Sequence, residues 1–224
     1  MKPMSPRAGA RPALLAALLV ALGSAACAHG SHAVYDQANP SMETPMSQAQ
    51  ATTTVEGDGV RLEASFDHAA GGPLRVRYRV HNTGSADLAV FDRGDRHAVL
   101  TGRHGAGEVG EPGFREDGQG GLELRHAARP LPQPAPTLPP TPLAARVAPG
   151  QSLEGHFSFS PLVGDQPRRL RWCLGVAPFN ERQFRSPDGS GDVEVWQASF
   201  ELSESQQLLC TPWFDAASGT FAAD

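Results

Sequence analysis

Lysine is almost absent: Lys2 is the only one among 224 residues. Cysteine is scarce, with three, and tyrosine scarcer, with two. Past Leu22 no apolar run approaches the ~20 residues that a membrane-spanning helix needs. The usual signatures of catalysis are missing as well. There is no G-x-S-x-G elbow, no H-E-x-x-H, no P-loop and no G-x-G-x-x-G opening a helix. Ser, His and Asp occur, but nothing orders them into a triad. The expectation is therefore a non-enzyme without a cofactor, with an unrecognised enzyme kept as an alternative. The glycines lack a period of three, which excludes collagen.

What the chain has in excess is punctuation. Twenty-four Gly and 20 Pro rule against a helical bundle or a coiled coil. At the N-terminus, Lys2, Arg7 and Arg11 precede the apolar run Ala13 to Leu22, and small residues follow it, so residues 1–26 read as a secretory signal peptide. Ten apolar residues make a helix of roughly 15 Å, about half the hydrocarbon thickness. Loss of this segment leaves 16 Arg against 24 Asp and Glu, net −8. A field of that sign repels nucleic acid and anionic membranes, and leaves an Arg cluster as the means of binding an anion. A Schiff-base lysine is excluded.

Ser24-Ala25-Ala26-Cys27 resembles the lipobox of bacterial lipoproteins. The resemblance implies lipidation of Cys27 and anchoring in the cell envelope, and Ala28 after it resembles outer-membrane sorting. Ordinary cleavage, after Ala26 or after Ala28, would instead release a soluble secreted or periplasmic protein. Three cysteines are an odd set. Lipidating Cys27, or cleaving beyond it, leaves Cys173 and Cys210 as a pair for a disulfide in an oxidising compartment. Residues 27–57 lack apolar periodicity and read as a flexible tether, with a reach of roughly 30 Å.

From Val60 apolar residues fall on alternate positions, the mark of half-buried strands. Strands are expected at Val60 to Phe66, Leu74 to Val80, Leu88 to Phe91, His97 to Thr101, Leu122 to Arg125, Leu153 to Phe159, Leu170 to Val176 and Val193 to Leu202. The Gly-rich stretch 102–121 and the seven prolines of 130–142 should be surface loops. The expected fold is all-β, an antiparallel two-sheet sandwich over residues 58–214 with residues 215–224 as a C-terminal tail. Tyr78-Arg-Val-His-Asn-Thr-Gly-Ser85, with Leu88-Ala-Val-Phe91 and Val147-Ala-Pro-Gly-Gln-Ser152, resembles the strand, "NTG" turn and "PGxS" edge of bacterial immunoglobulin-like modules, which include the intracellular-proteinase-inhibitor-like domains. The resemblance implies an immunoglobulin-like sandwich, and no inhibitory residue matches.

Candidate chemistry is sparse. Trp172 shares parity with Leu170 and Leu174 and should be core, with Cys173, Arg169 and Arg171 on the other face. Arg75, Arg77 and Arg79 share one face of their strand. Should the two strands neighbour each other, five guanidinium groups would converge on a phosphate, an acidic glycan or an acidic partner. The competing reading pairs these arginines with strand carboxylates such as Glu63, Asp67 and Glu201. Asp188, Ser190 and Asp192 echo the first positions of a calcium loop, without its glycine or its terminal acid, and a hairpin tip explains them as well. Arg93-Gly94-Asp95 reads as a turn. The functional expectation is an exported, lipid-anchored binding or structural module of the cell envelope whose partner is an envelope protein or glycan. The main alternative is an inhibitor of an envelope hydrolase acting through the loop Arg182 to Gly191.

Overall fold

The computed structural model describes residues 50–223, apart from 70, 95, 105–106, 161–166 and 191–192. All of them belong to the compact unit Pro45–Asp224. The signal segment and Cys27 lie outside the described residues. Fourteen strands and two short helices follow one another among those described: β1 (Ala51–Gly57), β2 (Val60–His68), β3 (Leu74–Asn82), β4 (Leu88–Val90), α1 (Arg96–Leu100), β5 (Gly113–Glu116), β6 (Gly121–His126), β7 (Leu143–Val147), β8 (Ser152–Phe159), β9 (Arg169–Pro178), β10 (Phe184–Ser190), β11 (Val193–Ala198), α2 (Leu202–Ser205), β12 (Gln207–Cys210), β13 (Phe214–Asp215) and β14 (Thr220–Phe221). The fold is all-β, as expected.

Two sheets form. The first runs β1-β2-β3-β8, antiparallel throughout. The second is built around β9. On one edge β9 pairs with β6, in parallel, and then with β4; on the other it pairs with β13 and β12. Strand β5 extends the sheet from β6, while β7, β11 and β10 extend it from β4. Alternation decides which side of each strand is buried. Leu62, Phe66, Val76, Tyr78 and Phe157 from the first sheet meet Leu124, Leu170, Trp172, Leu174 and Phe214 from the second in one core. Trp172 is fully buried at its centre, with ring centroids 4.8 Å from Tyr78 and 5.3 Å from Phe157. Beyond β4 a second cluster covers the far face of the sheet, where Phe179, Phe184 and Trp196 pack over Ala89, Ala144 and Ala177.

Close packing explains one glycine. Gly155 stands opposite Tyr78 in the β3–β8 register, and a Cβ there would lie 2.3 Å from the phenol oxygen. The ring occupies the space a side chain would take.

The turn Asn82 to Ser85 joins the sheets. Asn82 is buried, and its amide donates to the carbonyls of Ala86 and Val147 while its oxygen accepts the Gly84 N–H. Its backbone N–H donates to Gln151 and its carbonyl accepts from Gly150, so the "NTG" turn and the "PGxS" edge meet at one point.

Several expectations need correction. Residues 51–57 are not tether but strand β1, joined to β2 by the two-residue turn Asp58-Gly59, with Gly59 at φ +67. The C-terminal tail is also structured, because β13 and β14 form a hairpin against β9 that brings Phe221 within 4.9 Å of Phe66, centroid to centroid. His97 to Thr101 is not a strand. It contains most of α1, whose turn is closed by the Thr101 N–H on the His97 carbonyl and ended by Gly102 at φ +67, since an apolar run of four or five residues suits either structure. Within the Gly-rich insertion Gly113 to Glu116 is strand β5, and most of Arg182 to Gly191 is strand β10, part of a hairpin with β11 rather than a loop. Pairing is mixed, because β6 and β9 run parallel.

A cationic face on the second sheet

The strands of the two arginine rows are not neighbours, so the five guanidinium groups do not converge. Inward Val76 and Tyr78 on β3, and inward Leu170 and Trp172 on β9, face the same core from opposite sheets. Arg75, Arg77 and Arg79 therefore lie on one outer face of the sandwich and Arg169 and Arg171 on the other. On the first face Arg79 pairs with Glu154, and Arg75 approaches Asp67 at 3.7 Å. Arg77 stands between Ser65 and His156 in the register and has no ion pair among the described residues. This side largely follows the paired-carboxylate reading, through Asp67 and through Glu154 rather than Glu63 or Glu201.

On the second sheet the register assembles a different set. Inward Leu122 and Leu124 turn Gly121, Glu123 and Arg125 outward on β6. Parallel pairing puts Glu123 beside Arg171, and the antiparallel β5 puts Arg115 beside Glu123 from the other edge. The Glu123 carboxylate is only 2% exposed and takes three guanidinium groups: Arg125 at 2.5 Å and Arg115 at 3.3 Å on Oε1, and Arg171 at 2.8 Å on Oε2. Burial alone would raise its pKa. The hydrogen bonds from Arg171 and Arg125 and their charge outweigh burial and hold the carboxyl below its ordinary value.

The neighbouring row is equally organised. Arg169 donates to Asp117 Oδ2 at 2.6 Å and to Gln119 Oε1 at 3.2 Å. The N–H of Gln119, that of Gly121 and the Arg169 guanidinium hold the Asp117 carboxyl below its usual range. Trp213 lies 4.6 Å from the guanidinium carbon of Arg169 and 4.7 Å from that of Arg171, a cation–π contact to both. Arg129 reaches over Gly113, where a Cβ would sit 2.0 Å from its Nη2. It has no ion pair among the described residues. Cys173 and Cys210, directly opposite on β9 and β12, form the expected disulfide.

The interior holds a polar chain that serves the core. The Tyr78 hydroxyl donates to Asp92 Oδ2 at 2.7 Å, and burial, followed by the Asp92 charge, pushes the phenol pKa well up. The Trp172 indole N–H donates to His126 Nδ1 at 3.0 Å, which leaves Nε2–H to donate to the Gly110 carbonyl at 2.8 Å. Burial pushes the His126 pKa down, so the ring is neutral at pH 7. Asp92, His126 and Tyr78 are each buried. Arg93 turns inward onto Asp92, its side chain 11% exposed, which withdraws the arginine of the Arg93-Gly94-Asp95 tripeptide from the surface, while Asp95 lies outside the described residues.

Two further features complete the surface. A 530 Å³ cleft opens beside the β13–β14 hairpin, lined by Phe66, His68, Phe214 and Phe221 among others. Among the described residues no group of three or more His, Cys, Asp or Glu is placed to hold a metal ion. Of the calcium candidates, Asp188 and Ser190 fall on β10 and Asp192 lies outside the described residues. No helix among the described residues is long and apolar enough to cross a membrane.

Sequence reasoning found Arg169 and Arg171 but missed Glu123, Arg115, Arg125, Arg129 and Trp213. The outward parity of Glu123 and Arg125 was readable from Leu122 and Leu124. Their juxtaposition with β9 was not, because it depends on a parallel pairing between segments 48 residues apart. No protein family matches this chain, and no curated protein or solved structure matches it either.

Proposed function

We propose that this protein is an exported, non-catalytic binding module of the bacterial cell envelope, anchored by lipid on Cys27, and that the outer face of β5, β6 and β9 holds its partner. The observation that carries the binding role is the set of arginines gathered around Glu123 and Trp213, because it places an organised excess of cations on one face of an acidic chain. The anchor rests on the basic n-region, the apolar run and Ser24-Ala25-Ala26-Cys27. An immunoglobulin-like arrangement of the sandwich is part of the same reading, and the meeting of the "NTG" turn with the "PGxS" edge at Asn82 supports it.

Growth with labelled palmitate followed by fractionation tests the anchor. Wild type is expected to carry label and sediment with membranes, while Cys27→Ser carries none and is released. Label in neither protein, or in both, would refute it.

A further inference from the structure

We infer that the outer face of β5, β6 and β9 binds a linear polyanion, a polymer bearing carboxylate or phosphate groups along its length. This deepens the reading above and rests on its assignment of the binding surface.

Charge is the first argument. Arg115, Arg125, Arg129, Arg169 and Arg171 share the face with Glu123, Asp117 and, opposite Arg169 in the register, Asp215. Five cations against three carboxylates leave an excess of two on a chain whose net charge is −5. The opposing field of the rest of the molecule is screened beyond about 8 Å at physiological salt, so a polymer lying on this face meets mainly the local excess.

Donors are also available, although Arg169 Nε is itself buried. Each guanidinium has five N–H donors in a fixed fork. Hydrogen bonds within the face engage no more than two on any one of these arginines. The Arg115 side chain is 66% exposed and that of Arg125 39%.

Preorganisation is the second argument. Gly113 and Gly121 leave clearings over which Arg129 and the Arg169–Asp117 pair lie close to the sheet, since a Cβ at 121 would sit 2.3 Å from Asp117 Oδ2. Trp213 packs against both Arg169 and Arg171. Cations already ordered by the fold lose little entropy when a ligand arrives.

Shape selects a polymer. Along the strands the cations occupy three successive outward rows, roughly 6.6 Å apart: Arg125 with Arg129 over Gly113, then Arg115 and Arg171 on Glu123, then Arg169 beside Gly121. Three of the guanidinium groups close on Glu123, a point the carboxylate already fills, while Arg129 and Arg169 extend the positive charge to either side of it, which suits an extended ligand. An acidic protein fits less well, because stable protein interfaces centre on apolar anchors. The aromatic side chain of this face, Trp213, is already engaged by two guanidinium groups, and Phe114 on β5 leans the other way, onto Phe159.

The test uses the full chain in mild detergent, titrated at 0.15 M salt with polygalacturonate, polyphosphate and neutral dextran. Polygalacturonate reports a carboxylate site and polyphosphate a phosphate site; binding of either one with no binding of dextran is expected. Arg115→Ala with Arg129→Ala should weaken that binding at least tenfold. Arg75→Ala with Arg77→Ala removes the same charge from the opposite face and should change it less than twofold. Arg129→Glu alone, remote from the buried carboxylate, repeats the comparison if the first double variant misfolds. Equal loss in both double variants, binding to dextran, or binding to no polyanion overturns the inference. The palmitate result is independent: a labelled protein that binds no polyanion keeps its anchor and loses this site, and the reverse holds for an unlabelled one that binds.

Discussion

Replacing Glu123 by Gln keeps the shape of the side chain and removes the charge on which three guanidinium groups converge. A hydrogen bond to a charged group contributes about 1.5–3 kcal/mol net, but exposed partners are screened. The side chains of Arg171, Arg125 and Arg115 are 32%, 39% and 66% exposed, so about 1 kcal/mol each is the fitting scale. The Gln amide also turns a donor toward guanidinium donors. A loss of about 3 kcal/mol follows at pH 7, or roughly 6–12 °C in Tm for a domain of this size. Circular dichroism melts of wild type and Glu123→Gln measure it.

The pH dependence gives a sharper check. The folded-state pKa of Glu123 is depressed, so its contribution is complete above the ordinary value of about 4.3 and is lost as pH falls through the lower folded value. The gap between the two proteins should be widest near neutrality and close in strong acid. A difference below 1 kcal/mol at pH 7, or one equally large at pH 2 and pH 7, would show that the carboxylate is not what organises the arginines. Removing one negative charge should also tighten polyanion binding in the variant, provided it folds.

Three other outcomes follow from the fold. Converting Cys173 and Cys210 to Ala opens a loop with a sequence separation of 37 and should lower stability by about 4 kcal/mol on the chain-entropy account, measured as a fall in the urea midpoint; an unchanged midpoint contradicts it. Gly155→Ala drives a methyl into the Tyr78 ring and should destabilise by about 1–3 kcal/mol. In a Tyr78→Leu background most of that loss should vanish, and an undiminished loss would count against the steric argument. His126 resists protonation when folded, whereas the unfolded ring takes a proton near pH 6.5. Stability should therefore decline as pH drops below that value toward the folded pKa, and His126→Phe should flatten the decline while lowering stability overall by leaving the Trp172 N–H and the Gly110 carbonyl unpaired.

Alternation made β2, β3, β8 and β9 readable, because a strand buried on one face must hide every second side chain. It failed where burial was partial. Strand β1, ATTTVEG, offers only Ala51 and Val55 to the core, and its signal lay in the Asp58-Gly59 turn instead. Strands β13 and β14 are two residues each, too short to carry a period.

The chain by itself determined the all-β class, the burial of Trp172, the outward direction of both arginine rows and the pairing of Cys173 with Cys210, since each follows from parity or from counting. Which rows share a surface was decided only by tertiary structure. Parity says that a side chain points away from the core, not which of two outer faces it points to. That choice belongs to sheet membership: the parallel union of β6 with β9 sent Arg171 to Glu123, and the pairing of β13 with β9 brought Trp213 to Arg169 and Arg171, on the face opposite Arg75, Arg77 and Arg79.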